Sequence, residues 1–462
     1  MYSTMSTELP FLDRAPEMRR IRRILDAKSP QLGVIYGRRR CGKSRLLKEA
    51  VGERAVYYLA DTRETPLQIR SIAAEVAKQI PGFDDAEYGS WDALLSTLNA
   101  RAPQGLTLII DEFPYLVGLY PPLPSVVQKW FDSGPAFSAI LCGSSQRMMQ
   151  GLVLDSTAPL YGRATEIVKI RPLPAGWIET ALGVSGTDAV EAYAVWGGVP
   201  RYLELARSYG SLKEAILDLV LDHNGVLHDE PQRLLLDDMR SAAQPHSLLS
   251  LIAGGCHRLS EIAARLEKSA SSLSRPLNAL IELGYIRRDI PYSESIKSTK
   301  RSLYVVNDPF LEFWYRFVLP CRSMLERGHA SDVYGEVLRG FTQHVASIWE
   351  QLARESTSYL EITGKRWKPG ERFWGTGKDG TAMEIDVVAE SVDGTSLLLG
   401  EAKWEARTNL PAVLDRLKRL SGMLPFAHPV DVHVACWARQ QSASRPEGLS
   451  VIGPVEVMAA IR

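Results

Sequence analysis

Over its first third the chain alternates between short continuous apolar runs and longer segments in which apolar residues recur at helical spacing. The runs are LGVIYG (Leu32–Gly37), AVYYLA (Ala55–Ala60), LTLIID (Leu106–Asp111) and FSAILCG (Phe137–Gly143). Each has the length and character of a strand buried on both faces. TEIVKIRPL (Thr165–Leu173) alternates and predicts a further strand. Met18, Ile21, Ile24 and Leu25 share a helical stripe, and Leu67–Ile80 is a second helical segment. Strands separated by helices predict a parallel α/β sheet.

The pattern then changes. Residues 175–240 read as helical, with WGGVPRYL (Trp196–Leu203) at a helix start. Residues 245–307 hold three helical segments with short breaks, as in a small separate module. From 308 onward the chain is mixed, with aromatic helices at Phe310–Phe317 and Val345–Ala353 followed by a hairpin signal and strands. The expected domains are 1–174, 175–240, 241–307 and 308–462. No internal repeat or low-complexity tract interrupts them.

The first strand runs into GRRRCGKS, which matches G-x-x-x-x-G-K-[ST]. In such a loop the glycines let backbone N–H groups wrap phosphates, the lysine reaches the β and γ phosphates, and the hydroxyl ligates Mg²⁺. Gly37, Cys41, Gly42, Lys43, Ser44 and Arg45 are therefore assigned to ATP. A glycine turn with solvated basic residues is the plain alternative, and the preceding strand and following helix argue against it. LTLIIDEF ends an apolar strand in two acids: Asp111 is predicted to hold Mg²⁺ and Glu112 to polarise the attacking water. Ser144 and Ser145 end another strand, where a polar group reaches the γ-phosphate or the water, or merely caps a turn. Arg163, in APLYGRATEI, is a candidate to stabilise transferred charge, in cis or from a neighbouring subunit, against the alternative of a surface arginine. Arg201 is a weaker candidate of the same kind.

Charge composition narrows the partners. Lys+Arg and Asp+Glu both number 54, so any nucleic-acid site must be a local patch. The five cysteines are scattered and form no CxxC pair, which argues against a disulfide framework or zinc site and fits a reducing cytoplasm. No leader pattern and no membrane-length apolar stretch is present, so no membrane is expected.

In the 245–307 module, Leu259, Ile262, Ala263 and Leu266 form one apolar stripe, and Leu273, Leu277, Leu280 and Ile281 the next. Serines at 269–274 are expected to cap the second helix. Helix, turn, helix and the strand YIRRDIP resemble a winged-helix domain with its wing at Tyr292–Lys300. Ser271, Ser272 and Arg275 would then face a major groove, and Arg287, Arg288, Lys297, Lys300 and Arg301 would contact phosphates. Winged helices also serve as protein-contact modules, so DNA and a protein partner both stay open.

TAMEIDVVAESVDGTSLLLGEAKW carries a hairpin signal at Asp393-Gly394. With that pair as a two-residue turn, Asp386 falls directly across from Glu401, and Lys403 shares their face. Facing acids repel unless a cation lies between them. A divalent ion would supply that charge, with Lys403 orienting water or stabilising developing charge. The alternative is a solvated hairpin face. Lys365, Arg366, Lys368, Arg372 and Lys378, interleaved with Trp367, Phe373 and Trp374, make either a nucleic-acid strip or a solvated loop beside buried aromatics.

Two resemblances follow from these motifs. FLDRAPEMRRIRRIL, the phosphate loop, IIDEF, the serine strand end, PLYGR and WGGVPRYL, in that order over about 1–240, resemble the AAA+-type ATPases of archaea and some bacteria, in their STAND-related branch. That resemblance implies an α/β core with a helical lid, an adenine pocket near Phe11 and Arg14, a sensor serine at Ser144 or Ser145, and an arginine contact at Arg163. No tandem arginine finger is evident, which puts a hexameric ring in doubt while leaving a homo-oligomer open. The D…ExK set over about 303–462 resembles the PD-(D/E)xK nuclease superfamily, which implies a helix-borne acid, best matched by Glu350 and next by Glu336. The expected fold class is thus a P-loop NTPase parallel sheet with a helical lid, then a winged helix-turn-helix, then an α/β restriction-endonuclease-like domain. The expected function is an ATPase acting on DNA, with a metal-dependent nuclease at the C-terminus. Its alternative is an ATP switch or scaffold that binds a protein partner.

Overall fold

The computed structural model describes residues 9–52, 55–239, 241–295, 297, 299, 301–426, 429, 431–440 and 445–462. Lys300 of the expected wing lies outside the described residues. The chain forms two compact units, one of Asp13–Pro172 with Leu236–Arg240, the other of Leu173–Leu235 and Ser241–Arg462 with residues up to Leu12.

In the first unit, β1 (Leu32–Tyr36), β2 (Ala55–Leu59), β3 (Thr107–Asp111), β4 (Ser138–Gly143) and β5 (Glu166–Lys169) form one sheet in the order β2-β3-β4-β1-β5. All four pairings are parallel, as the alternation of strands and helices predicted. Three of the four continuous apolar runs became β1, β3 and β4, which are buried at every residue, while AVYYLA, expected to be buried on both faces, became the edge strand β2. The outer strands β2 and β5 are only partly covered. Val34, Leu108 and Leu141 of the sheet pack with Ile72, Leu94 and Phe113 of the flanking helices in one core. Because the strands are parallel, the carboxyl ends of β1, β3 and β4 share one edge, and ligands of open α/β sheets bind beyond that edge.

The second unit contains the helices expected of a lid, among them Gly186–Trp196 and Pro200–Ala206, grouped with everything that follows. Helices Ala243–Ala253, Leu259–Arg265 and Ala270–Glu282 lead into β6 (Ile286–Asp289) and β7 (Leu303–Val306), which pair antiparallel. Ser269 caps the third of these helices, its Oγ accepting from Ser272 N at 3.3 Å. Leu273, Leu277 and Leu280 supply its buried stripe. This is a helix-turn-helix with a two-stranded wing base.

The aromatic segment Val345–Ala353 lies within the 27-residue helix Ala330–Ser356. Beyond it come the short hairpin of β8 (Glu361–Ile362) and β9 (Lys365–Arg366), then β10 (Glu371–Thr376), β11 (Ala382–Glu390), β12 (Ser396–Lys403), β13 (Asp431–Ala438) and β14 (Ser450–Ile452). The last five form a sheet in sequence order. β10, β11 and β12 pair antiparallel, and β12, β13 and β14 pair parallel. Leu410, Val413, Leu417 and Leu420 of helix Leu410–Ser421 cover this sheet.

The β11–β12 hairpin corrects one detail. Its connection is longer than the two residues expected: Ser391 N still bonds Ser396 O at 2.9 Å, and Asp393 Oδ1 accepts from Thr395 N at 3.0 Å inside the loop. Asp393-Gly394 remains its centre, so the register is unchanged, with Val387 opposite Gly400. No helix among the described residues is long and apolar enough to cross a membrane. All five cysteines are free.

His344 gives this unit a pH signature. Its imidazole is buried among Phe313, Phe317 and Phe341, with Nε2 2.8 Å from the Ala194 carbonyl oxygen. Burial pushes its pKa down to about 4. The unfolded chain protonates this histidine near pH 6.5, so between these values the unfolded state binds more protons and stability falls as pH falls, by about 3 kcal/mol at most. The melting temperature of the wild type should therefore drop more steeply from pH 6.5 to 4 than that of His344→Met. Parallel curves in a calorimetric pH series would refute this.

Candidate functional site

The phosphate loop joins β1 to helix Lys43–Ala50. Gly42 takes a left-handed backbone with φ 88°, which a glycine adopts without strain. At Gly37 a Cβ would lie 2.2 Å from the Ile170 carbonyl oxygen, so only glycine fits. Lys43 is buried, its Nζ donating to the carbonyls of Gly37 at 2.9 Å and Arg38 at 3.1 Å. Arg14 is also buried, donating to the carbonyls of Cys41 at 3.1 Å and Arg171 at 2.7 Å, so it braces the loop from behind. Phe11 belongs to the other compact unit. Arg39 of the loop pairs with Asp237 at 2.7 Å and with the Tyr115 hydroxyl at 3.0 Å. Arg45 lies in the first turn of the following helix and is half-buried.

β3 ends in Asp111, fully buried, followed by Glu112 in a left-handed conformation with φ 54°. Ser144, at the end of β4, donates to Glu112 Oε2 from its hydroxyl at 2.8 Å and from its backbone N–H at 3.2 Å. Of the two serines, Ser144 engages the carboxylate, while Ser145 starts helix Gln146–Val153 without a side-chain cap. Arg163 makes a bidentate pair with Asp132, both contacts at 2.8 Å, and donates to the Pro159 carbonyl at 3.1 Å. Arg201 pairs with Glu204 at 2.6 Å.

Tyr57 was not anticipated. Its hydroxyl donates to Asp111 Oδ2 at 2.6 Å and hydrogen-bonds the Ser44 side chain. Burial and the neighbouring Asp111 push its pKa well above the usual phenol range. The two oxygens expected to hold Mg²⁺ therefore converge on one point, which fits a hard cation bound by few protein oxygens, with phosphate and water completing its shell. The only sequence signal was position: Tyr57 lies in AVYYLA, one of the apolar runs, and alternation along the strand turns it away from Val56 and Tyr58.

The second cluster lies around β11 and β12. Asp386 Oδ2 accepts from Ala402 N at 2.9 Å. Glu401 is 4% exposed, and its carboxylate binds Lys403 Nζ at 2.6 Å on one oxygen and Arg416 on the other. Arg354 donates to the Asp386 carbonyl at 3.1 Å and lies 3.9 Å from Glu350 Oε2. Burial, then the charge of Asp386, pushes the Glu350 pKa up to about 7. Burial, with Glu401 adding to it, also raises that of Asp386. Lys403 is held above the usual lysine range, the pull of Glu401 and Asp386 overcoming burial. Glu350, Asp386, Glu401 and Lys403 thus form one electrostatic group, whereas Glu336 is exposed and paired with Arg339. Among the described residues no group of three or more His, Cys, Asp and Glu side chains is placed to hold a metal ion. The reason is visible at Glu401, where Lys403 and Arg416 supply the positive charge assigned to a divalent ion.

Comparison with known proteins places this chain. Residues 11–206 match an ATPase domain predominantly from Archaea, residues 247–289 an IclR helix-turn-helix domain, and residues 314–413 a family of archaeal and bacterial proteins of unknown function. The uncharacterized protein MJECL04 of Methanocaldococcus jannaschii is 30% identical over 407 residues, 86% of this chain and 88% of that one. The chain belongs to the MJECL04 family. It is a P-loop ATPase. Among solved structures, the Walker-type ATPase PABY2304 of Pyrococcus abyssi aligns at TM-score 0.51 and 21% identity over 66% of this chain and 95% of that one, and it shares the fold. The Aeropyrum pernix ORC2 protein aligns at TM-score 0.43 and 14% identity over 70% and 96%.

In this ATPase the helix-turn-helix leaves Ser271, Ser272 and Arg275 exposed on helix Ala270–Glu282. Arg287, expected on phosphates, instead pairs with Asp289 at 2.9 Å and Gln351 at 2.8 Å. Arg288 is half-buried, Lys297 is exposed, and Arg301 pairs with Glu294. The basic-aromatic segment is carried largely on β9 and β10 rather than on a loop, and its aromatics are buried or half-buried. Trp367 and Phe373 are buried, Trp374 donates to the Arg301 carbonyl at 3.1 Å, and Lys368 and Arg372 pair with Glu390 and Glu384. Lys365 lies 3.6 Å from Asp431, while Arg366 and Lys378 are exposed.

Tyr57→Phe tests the link between Ser44 and Asp111. Removing a hydroxyl that orients the carboxylate expected to bind Mg²⁺ should raise the Mg²⁺ concentration for half-maximal ATPase by about tenfold. Metal-free ADP affinity, read by calorimetry, should stay unchanged. An unaltered Mg²⁺ dependence would remove Tyr57 from the site.

Proposed function

We propose that this ATPase is an AAA+-type, STAND-related switch that acts on DNA, using ATP with Mg²⁺. In this reading Lys43 and the loop glycines hold the phosphates, Ser44 and Asp111 hold Mg²⁺, and Glu112 polarises water. Ser144 senses the nucleotide through Glu112, and Arg163 assists after leaving Asp132. Mg²⁺ would draw charge from the phosphates. The observation that carries the reading is the meeting of Lys43, Asp111, Glu112 and Ser144 at the carboxyl edge of one parallel sheet, in a chain that also carries a helix-turn-helix with Ser271, Ser272 and Arg275 exposed. The domain limits 1–174, 175–240, 241–307 and 308–462 belong to this proposal.

The C-terminal domain is proposed as a PD-(D/E)xK-like module acting through Glu350, Asp386, Glu401 and Lys403. Support comes from the shared hairpin face and from the electrostatic link to Glu350. A second reading, a nuclease-like fold without turnover in a switch that binds a protein partner, is favoured by Arg416, which holds one Glu401 oxygen while Lys403 holds the other.

Cleavage of plasmid and linear DNA with Mg²⁺ or Mn²⁺, with and without ATP, separates the two. Cleavage by the wild type that disappears in Asp386→Ala establishes the nuclease, and its loss in Lys43→Ala shows that ATP licenses it. No cleavage under any condition, with ATPase intact, establishes the switch without turnover.

A further inference from the structure

Between the helix-turn-helix and the C-terminal domain, within one compact unit, lies a cavity of about 450 Å³. That is within the range of small-ligand sites. Its apolar lining includes Leu303 and Val305, which are half-buried and share one face of β7. Four guanidinium groups also line it, those of Arg287, Arg316, Arg354 and Arg372, with Arg287 directly across the strand pair from Val305. Three acids share the wall: Asp289, Glu312 and Glu350. Glu312 accepts from Ser347 Oγ at 3.1 Å, and burial shifts it toward its neutral form.

The charges do not balance inside the cavity. Asp289 pairs with Arg287 at 2.9 Å, and Arg372 is paired from outside the lining by Glu384. Arg316 donates to the neutral amide of Gln343 at 2.9 Å and lies over the Phe317 ring, and the nearest acid acting on it is Glu312, which burial shifts toward its neutral form. Arg354, whose side chain is 13% exposed, has its ion-pair contact with Glu350 at 3.9 Å, beyond hydrogen-bond length, and otherwise donates to a neutral carbonyl. A buried guanidinium without a close counter-ion is costly, and planar guanidinium pairs chelate phosphate oxygens well. Apolar side chains beside such a cluster suit a ligand with a flat, uncharged body and an anionic end.

We propose that this cavity binds a phosphate-bearing nucleotide, its phosphate on Arg316 and Arg354 and its base or sugar against Leu303 and Val305. This is a second nucleotide site, separate from the phosphate loop, and it requires no cleavage chemistry at Glu350. A free mononucleotide and the 5′-phosphorylated end of a nucleic-acid strand offer the same chemistry.

The test uses the full chain carrying Lys43→Ala, which silences the phosphate loop, and titrates adenosine monophosphate, inorganic phosphate and adenosine by calorimetry. A second arm replaces the mononucleotide with a short single strand bearing a 5′-phosphate or a 5′-hydroxyl. Adenosine monophosphate should bind more tightly than phosphate, and adenosine should not bind. Arg316→Gln should weaken the nucleotide by about tenfold, as loss of one charged contact does, with an unchanged melting profile. Leu303→Trp, which fills the apolar side, should weaken adenosine monophosphate while leaving phosphate bound. Binding by the 5′-phosphorylated strand alone would identify the strand end as the ligand and uphold the site. Absence of binding by every phosphate-bearing probe, or binding unaffected by Arg316→Gln and Leu303→Trp together, would overturn it.

Discussion

Lys43→Ala should lower ATP turnover by roughly a hundredfold to a thousandfold, the loss expected when a preorganised charge is removed from the phosphates in the transition state. The Lys43 ammonium is buried inside the loop against the carbonyls of Gly37 and Arg38, whereas Arg39 is turned to Asp237 and Tyr115. The two carbonyls that Lys43 satisfies would lose a charged donor, so the loop should also loosen. Phosphate release under saturating ATP, with a melting curve as control, checks the expectation. Turnover at the wild-type rate in a folded variant would refute the assignment of this loop to ATP.

The parts of this site that were legible in the sequence are those set by local chemistry. Three of the four apolar runs became the inner strands β1, β3 and β4, buried at every residue, whereas AVYYLA, read the same way, became the edge strand β2, because strand order is not visible in composition. Gly37 and Gly42 were visible because a loop wrapping phosphate needs residues without Cβ, and the Ile170 carbonyl now gives a further reason at Gly37. The hairpin register was legible for a different reason. A connection lengthened symmetrically about Asp393-Gly394 keeps the same residues opposite each other, so the error in turn length cost nothing in register.

Contacts between distant residues were not legible, and they change what the site can do. Asp132 holds Arg163 across 31 residues, Arg416 reaches Glu401 across 15, and Tyr57 reaches Asp111 across 54. None follows from spacing or propensity. Each depends on which helix packs on which strand, and that is decided by the whole fold. The aromatics near the C-terminus teach the same lesson in reverse. Interleaved charges and rings are as consistent with a stacking strip as with core residues under a solvated loop. The fold takes Trp367 out of any stacking strip, since it is buried with its Nε1 donating to the Ile362 carbonyl at 3.0 Å, and it puts much of the segment on β9 and β10 rather than on a loop.

Glu112→Gln should separate ATP binding from hydrolysis. Glu112 is placed by three features: the left-handed backbone after β3, its own N–H donated to Asp111 Oδ1 at 2.9 Å, and the two hydrogen bonds from Ser144. Glutamine has the same shape and an amide oxygen that can accept from Ser144, so the local structure should persist. It cannot take a proton from water, and loss of a general base costs roughly a hundredfold to ten-thousandfold in rate. The variant should therefore bind ATP with near wild-type affinity and release phosphate at that reduced rate. Ser144→Ala tests the other half of the pair. It removes the hydroxyl contact but leaves the backbone one, so Glu112 should be less well placed, and turnover should fall by only about tenfold. Equal losses in the two variants would mean that the serine hydroxyl is itself essential to the chemistry. Full activity in Glu112→Gln would mean that water is activated elsewhere, leaving Glu112 a strand-end residue held by Ser144.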